Sequence, residues 1–238
     1  MGGLFAQTLN VNICALARNL GNNTIGFLHR VSEIAKLFNH ANVIVYENDS
    51  SDNTREILEK SGVYLISENL GLRKHDNDTS YQRTVDMAYY RNKYLTKVQA
   101  DFMDAHYTIV LDSDLYGYSY EGILHSLSFN YDAITANGIL YKDNERLFYD
   151  TWAYRRIGHP EPHNSGEINC LRYERSEPPI KVLSNFGGMA IYRTGLLEGL
   201  EYQAGDCDHV TLHKLFPSDI YLNPSLICLY SPHYYLEY

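Results

Sequence analysis

The sequence predicts an α/β fold in which a mostly parallel, twisted sheet is flanked by helices. Apolar runs typical of strands occur at residues 11–17, 42–46, 62–66 and 107–111. Segments with the helical spacing of apolar side chains separate these runs, at residues 24–38, 54–60 and 81–98. Strands that alternate with helices form βαβ units, so we expect these strands to lie parallel in one sheet.

Polar clusters follow three of the predicted strands and provide a second observation in favour of this fold. They are Ala17-Arg18-Asn19, residues 47–54, and Asp112-Ser113-Asp114. In a parallel sheet the carboxyl ends of the strands share one edge, and ligands bind outside that edge. The three clusters should therefore meet in one site.

The second half of the chain is less regular. Its apolar pattern predicts strands at residues 133–136, 187–192 and 220–230, with a helix at 208–216. Residues 141–180 combine charged side chains with repeated Gly and Pro, which predicts a long loop of the kind that forms functional lids. At 238 residues, we expect one domain with a sizeable core.

Composition indicates a soluble globular protein and argues against some partners. The chain has 20 basic and 29 acidic residues and a net charge of −9, whereas nucleic acid binding favours basic surfaces. No apolar run reaches the ~18 residues of a membrane span, and residues 1–10 lack the pattern of a signal peptide. The four cysteines are scattered and form no C-x-x-C pair. We therefore expect a cytoplasmic protein with free thiols.

The acidic pair Asp112 and Asp114 is the first candidate for chemistry. Two carboxylates separated by one residue, directly after a buried strand, can present oxygen ligands to one divalent cation. Mg²⁺ and Mn²⁺ prefer such ligands and share them with diphosphate oxygens. The alternative is a solvated turn, which would not require the apolar run that precedes this pair.

Two further clusters can bind a nucleotide. Glu47 and Asn48, at the end of the second strand, are candidate ligands of a nucleobase or ribose, unless this cluster only caps the next helix. Arg91, with Arg83 two turns earlier on the long helix, is a candidate partner of a diphosphate because guanidinium groups bind phosphate oxygens well. The alternative for the arginines is a solvated helix face.

The remaining candidates lie near the C-terminus. Asp206 precedes the last predicted helix, Asp208 begins it and His213 lies within it. A carboxylate here can act as a general base or orient an acceptor, and the alternative is an N-cap pair with partly exposed histidines. His233 is a candidate third ligand for the cation and is favoured over His213 and His209. The alternative for His233 is an ordinary histidine near a terminus.

Together these segments resemble GT-A glycosyltransferases. Residues 47–54 are similar to the D-D-G-S-x-D-G-T segment, residues 88–92 to the A-x-x-R-N helix, and Asp112-Ser113-Asp114 to the D-x-D motif. Gly187-Gly188-Met189 and residues 205–208 resemble the G-G element and the later acidic motif. Phe-Tyr-Asp-Thr-Trp-Ala-Tyr-Arg at residues 148–155 resembles a signature of fungal capsule-associated mannosyltransferases, and compact GT-A domains of large DNA viruses are similar too.

The resemblance implies a UDP- or GDP-linked sugar donor, a Mn²⁺ or Mg²⁺ ion, and a glycan or glycoprotein acceptor. Residues 11–115 would form the nucleotide-sugar half and residues 116–238 the acceptor half. The implied roles cover four groups of residues: nucleotide and diphosphate (Ala17, Arg18, Glu47, Asn48, Arg83, Arg91, Ser113), metal (Asp112, Asp114, His233), sugar or acceptor (Trp152, Asp206, His213) and reacting centre (Asp150, Asp208).

Three departures accompany the resemblance, and two other functions stay open. In the fungal family the strand end that corresponds to the D-x-D motif is often less acidic than here. The fungal enzymes are usually membrane-anchored, and we expect no anchor here. Cys207 stands where many inverting enzymes carry an acid, which leaves a retaining outcome open. One alternative is a sugar-phosphate nucleotidyltransferase, although residues 16–23 lack its Gly-rich basic loop. The other is an inactive glycan-binding module, which the 22 tyrosines would suit.

Overall fold

The first half of the chain alternates strands with helices, as its hydrophobic pattern predicts. The computed structural model describes residues 6–75, 79–143 and 145–230. The elements in this half are β1 (Asn10–Ala17), α1 (Asn23–Ala35), β2 (His40–Asn48), α2 (Thr54–Glu59), β3 (Tyr64–Glu68), α3 (Tyr81–Asp101) and β4 (Tyr107–Asp112).

The second half contains more regular structure than the sequence predicts. Its elements are β5 (Gly117–Tyr118), α4 (Tyr120–Leu127), β6 (Ala133–Lys142), β7 (Glu145–Tyr149), α5 (Ser165–Asn169), β8 (Ile180–Val182), β9 (Met189–Arg193), a 3₁₀ helix (Thr194–Leu197), α6 (Asp208–Leu215) and β10 (Ile220–Leu229). The prediction of a long loop over 141–180 is wrong in part, because the end of β6, β7 and α5 lie within it.

The extension of β6 beyond the predicted strand depends on contacts with other segments of the chain. Asn137 and Gly138 interrupt its apolar pattern, but the Asn137 amide donates hydrogen bonds to the backbone oxygens of Tyr173 and Pro224. A Cβ at Gly138 would lie 2.2 Å from the Tyr149 carbonyl oxygen. Glycine is therefore required where β7 crosses closest to β6, and together the two strands form an antiparallel pair.

The strands form one mixed sheet in the order β3-β2-β1-β4-β9-β6-β10-β5, to which β7 adds beside β6 and β8 beside β10. β1 to β4 are parallel, β9 is antiparallel to both β4 and β6, and β10 is parallel to β6. Consequently β1, β2, β3, β4, β6 and β10 all run in one direction. Their carboxyl ends share one edge, as the mostly parallel α/β prediction requires.

Helices cover both faces of the sheet, so its central strands are apolar on both sides. In β1, Ile13 and Ala15 pack with the α1 residues Phe27 and Val31, whereas Cys14 packs on the opposite face with the core of α3. This alternation follows from the two-residue period of a strand. Because both faces of β1 are buried, its sequence is a nearly continuous apolar run.

The structure also shows the state of the cysteines and the polarity of the helices. All four cysteines are free thiols, and three of them are buried, including Cys14 in β1 and Cys228 in β10. Within the described ranges, no helix is both long and apolar enough to cross a membrane. α3 has 21 residues but carries charged and amide side chains along its length.

Candidate functional site

A cavity of about 540 Å³ opens at the carboxyl edge of β1 and β4. Its walls come from the ends of those strands, from α3, from the segment after β7 and from the start of α6. Many of the residues singled out in the sequence line this cavity: Ala17, Arg18, Asn48, Arg83, Arg91, Asp112, Ser113, Asp114, Asp150, Trp152 and Asp208. The polar clusters that follow β1, β2 and β4 therefore meet at one edge of the sheet.

Asp112 and Asp114 lie where β4 ends. Between them, the buried Ser113 donates a hydrogen bond from Oγ to the Leu16 carbonyl oxygen at 2.6 Å, which ties the end of β4 to the end of β1. Tyr230 donates its hydroxyl hydrogen bond to Asp112 Oδ2 at 2.6 Å. Burial and the neighbouring Asp114 carboxylate raise the pKa of Asp112 to about 7.

Arg91 connects this pair of carboxylates to the start of α6. Its guanidinium is buried, donates a hydrogen bond from Nε to Asp208 Oδ2, and places Nη2 3.6 Å from Asp112 Oδ1. Nη1 donates to the Tyr94 hydroxyl at 3.2 Å. The Arg91 guanidinium therefore pairs with two carboxylates from different elements in one wall of the cavity. Buried charges require such partners.

Asp150 and Trp152 follow β7 and also line the cavity. Burial and the charge of Asp208 raise the pKa of Asp150 to about 6. The Trp152 N–H donates to Asp150 Oδ1 at 3.2 Å. The Arg83 guanidinium carbon lies 4.9 Å from the centroid of the Trp152 ring, a cation–π contact that joins this segment to α3.

The end of the cavity near β1 and β2 is built from Arg18 and Asn48. Arg18 donates to the Leu72 carbonyl oxygen, and its Nη1 lies 4.0 Å from Asp49 Oδ2. Asn48 donates to the same oxygen of Asp49 at 2.9 Å. Asp49 Oδ1 accepts from the backbone N–H groups of residues 70 and 71, so this carboxylate fastens the segment before α3 over the edge of the sheet.

Three predicted ligand contacts need correction, because the side chains do not line the cavity. Glu47 is buried and accepts hydrogen bonds from Arg55 Nε at 2.8 Å and Ser67 Oγ at 2.5 Å. Asp206 pairs with Arg155 Nη2 at 2.8 Å, which neutralises a fully buried guanidinium.

His213 is the third correction. It lies in the core, between the hydroxyls of Ser184 and Tyr192. The predicted metal ligand His233 lies outside the described residues.

Other cavity residues escaped the sequence analysis. Lys74 and His75 come from the polar stretch before α3, which showed no periodicity to indicate its position. Tyr90 lies on the same helix as Arg91, and its ring stacks on Tyr46 at 5.6 Å between centroids. His209, which the sequence offers only as a less favoured third metal ligand, also lines the cavity directly after Asp208.

The residues present fit a divalent cation in part. Asp112 and Asp114 supply hard oxygen donors, and the repulsion that raises the Asp112 pKa is one that a cation would relieve. In the part of the chain that the structure describes, no group of three or more His, Cys, Asp or Glu side chains is arranged to hold a metal. A cation here would take its other ligands from water and from substrate phosphate, as Mg²⁺ usually does.

The chain is similar in fold to several solved structures, two of which contain a nucleotide sugar. S. aureus TarS in complex with UDP-GlcNAc is 14% identical at a TM-score of 0.56, over 93% of this chain and 58% of that one. The mannosyltransferase PcManGT from Pyrobaculum calidifontis, in complex with GDP-Man and Mn²⁺, is 13% identical at a TM-score of 0.54, over 97% and 59%. M. tuberculosis glucosyl-3-phosphoglycerate synthase is 12% identical at 0.52, over 93% and 72%.

These similarities establish the fold. The chain spans less than two thirds of the length of the TarS and PcManGT chains. No curated protein sequence matches it. The sequence model of the family described as cryptococcal mannosyltransferase 1 matches residues 11–214, which is most of the chain. That match includes both ends of the cavity and the segment from Asp150 to Trp152. The chain therefore belongs to the cryptococcal mannosyltransferase 1 family, a family of glycosyltransferases with the GT-A fold.

Proposed function

We propose that the protein transfers a hexose or deoxyhexose from a UDP- or GDP-linked sugar to a hydroxyl of a glycan or glycoprotein, with Mn²⁺ or Mg²⁺ bound. The observation that carries this proposal is the convergence of Asp112, Asp114, Asp150 and Asp208 around Arg91 in one cavity at the carboxyl edge of the sheet. The donor classes follow TarS and PcManGT, which were solved with UDP-GlcNAc and with GDP-Man and Mn²⁺.

The donor would occupy the β1 and β4 side of the cavity. Ala17, Arg18 and Asn48 are suited to the nucleoside because they offer a backbone edge, a guanidinium and an amide. Asp112 and Asp114 are the residues that would hold the cation. When bound, a divalent cation offsets the charge of the diphosphate and stabilises it as a leaving group.

The acceptor would approach from the wall that carries Asp150 and Trp152. In the transfer, a bond forms between the acceptor oxygen and the anomeric carbon, while the bond from that carbon to the diphosphate oxygen breaks. The acceptor proton passes to Asp150. Its pKa of about 6 leaves it largely ionised at pH 7 but more basic than an ordinary carboxylate. Asp208 acts by holding Arg91 in place beside the diphosphate.

A thermal-shift panel of UDP-, GDP- and dTDP-sugars, with Mn²⁺ or with EDTA, tests the donor and the cation together. A ligand at 100 times its dissociation constant stabilises the folded protein by about 2.7 kcal/mol. We expect one nucleotide class to raise the melting temperature with Mn²⁺, and EDTA to abolish the rise. A panel in which no nucleotide sugar changes the melting temperature would rule out the proposal.

Product analysis separates the alternatives. Release of nucleoside diphosphate supports transfer or donor hydrolysis, whereas release of pyrophosphate would identify a nucleotidyltransferase. Asp114→Asn should abolish turnover and metal-linked donor binding, while Asp219→Asn, in a surface pair with Lys181, serves as the matched control. A glycan-binding module would keep its glycan affinity in Asp114→Asn and show no turnover in either protein.

A further inference from the structure

Two histidines on α6, His209 and His213, have the same ring and similar burial but opposite hydrogen-bonding states. They are 2% and 5% exposed. In His213, Nδ1 lies 2.8 Å from Ser184 Oγ and Nε2 lies 2.7 Å from the Tyr192 hydroxyl. Both of its ring nitrogens are therefore satisfied by the protein, and this histidine is part of the core.

Neither ring nitrogen of His209 has a hydrogen-bond partner among the described residues. The Asp208 Oδ2 atom lies 3.8 Å from Nε2, which is beyond hydrogen-bonding distance. Buried polar atoms nearly always have partners, because an unpaired one forfeits its hydration. His209 lines the cavity, so the missing partner can come from a bound molecule.

The surroundings of His209 hold the ring in one orientation. It stacks on Phe186 with 3.6 Å between the centroids and 14° between the planes, and the Tyr202 ring packs against its edge at 5.8 Å. A ring clamped in this way keeps the direction of its two nitrogens without any hydrogen bond. This is the pre-organisation expected of a group that recognises a ligand.

The charge state of His209 narrows the chemistry of that ligand. Burial, together with the nearby Arg91 and His213, lowers its pKa well below the usual range, so the ring is neutral at pH 7. A neutral imidazole has one donor and one acceptor. A hydroxyl group also has both, whereas a phosphate ester oxygen only accepts. A metal ion is disfavoured as the ligand of His209, because the neighbouring Asp208 carboxylate is already paired with the Arg91 guanidinium.

We propose that His209 binds a sugar hydroxyl in the cavity and thereby selects the sugar. The inference rests on the proposed nucleotide-sugar function, and it names a residue that contributes nothing to binding of the nucleotide itself. The hydroxyl belongs either to the donor sugar or to the acceptor, since both would meet near Asp208.

His209→Phe is the test variant, because it keeps a flat ring to stack on Phe186 and removes both nitrogens. His213→Phe is the matched control on the same helix. The melting temperature should stay level or rise in His209→Phe, which loses no hydrogen bond. It should fall in His213→Phe, which leaves two buried hydroxyls without their partner. His209→Gln restores one donor and one acceptor, and should recover part of the sugar affinity.

Calorimetry then compares the nucleotide sugar identified by the thermal-shift panel with its own nucleoside diphosphate. We expect His209→Phe to bind the nucleoside diphosphate with an affinity within about twofold of wild type. Its affinity for the nucleotide sugar should fall about tenfold, which is the factor for one lost hydrogen bond. If donor affinity is unchanged, the KM of methyl α-mannoside as acceptor probe should rise instead. The donor result assigns the hydroxyl to the donor sugar and the KM result to the acceptor.

The inference is overturned if His209→Phe changes neither quantity, or if it weakens the diphosphate and the nucleotide sugar equally. Either result would leave the proposed function intact, because wild type would still bind and turn over its donor. Failure of wild type to bind any nucleotide sugar would instead refute the proposed function, and the inference with it.

Discussion

Replacing Asp112 by Asn should stabilise the protein at pH 8 while abolishing donor turnover. Burial and the Asp114 carboxylate raise the pKa of Asp112 to about 7 in the folded protein, against ~3.9 for an unfolded aspartate. Between these values the folded chain holds a proton that the unfolded chain has released. Stability therefore falls as pH rises through this window, and the destabilisation is complete above pH 7.

The magnitude follows from the two pKa values. A pKa difference of ~3 corresponds to ~4 kcal/mol at ~1.4 kcal/mol for each factor of ten. Solvent reaches 28% of the Asp112 side chain and screens part of this repulsion, so we expect about 2 kcal/mol. For a chain of this length that corresponds to roughly 4–8 °C in melting temperature. Asn is close in shape to protonated Asp, and its amide oxygen can still accept the Tyr230 hydrogen bond.

The assay is thermal unfolding of wild type and Asp112→Asn at pH 5, 6, 7 and 8 in EDTA, which removes cations that would neutralise the carboxylates. The variant should melt higher than wild type by an amount that is smallest at pH 5, grows up to pH 7 and is constant above it. Asp219→Asn, which alters a surface pair with Lys181, controls for removal of one negative charge. A difference that does not vary with pH, or a variant that is less stable at pH 8, would refute the reasoning.

Three other substitutions test the scaffold around the cavity. Arg91→Met leaves the buried Asp208 carboxylate without its cation and should lower the free energy of unfolding by about 3–5 kcal/mol in urea titrations, with partial rescue by Asp208→Asn. Gly187→Ala places a Cβ 2.3 Å from the Ala136 carbonyl oxygen at a φ of +61°, so a loss of about 1–3 kcal/mol is expected; unchanged stability would contradict that geometry. Ser113→Ala removes the hydrogen bond to β1 and should cost about 1 kcal/mol, and calorimetry should also show weaker metal-linked donor binding.

The elements of the first half could be predicted because their signals are local. β1 and β4 are buried on both faces and so read as apolar runs, and the helices between them show a 3.6-residue period. The direction of these strands then follows from the βαβ rule, which brings Asp112 and Ala17 to the same edge. The polar ends of β1 and β4 are for this reason the part of the predicted site whose position follows most directly from the sequence.

The second half and several side-chain roles could not be predicted because they depend on contacts distant in sequence. β7 has two charged residues followed by Leu147, Phe148 and Tyr149, without the alternation of a strand, and its pairing with β6 is what makes it one. Glu47 resembled a ligand residue in the sequence, but Arg55 and Ser67 occupy its carboxylate. Tyr230 binds Asp112 across 118 residues, a contact that no local pattern announces.

The sequence alone determined the α/β class, the edge of the sheet that carries the site, and the carboxylates that end β4, because periodicity and strand direction are properties of short segments. The tertiary structure decided which polar side chains reach the cavity. His209 and His213 stand one turn apart and differ little in sequence context, yet Ser184 and Tyr192 satisfy only His213. Hydrogen-bond satisfaction depends on what packs against a side chain, and that is known only once the chain has folded.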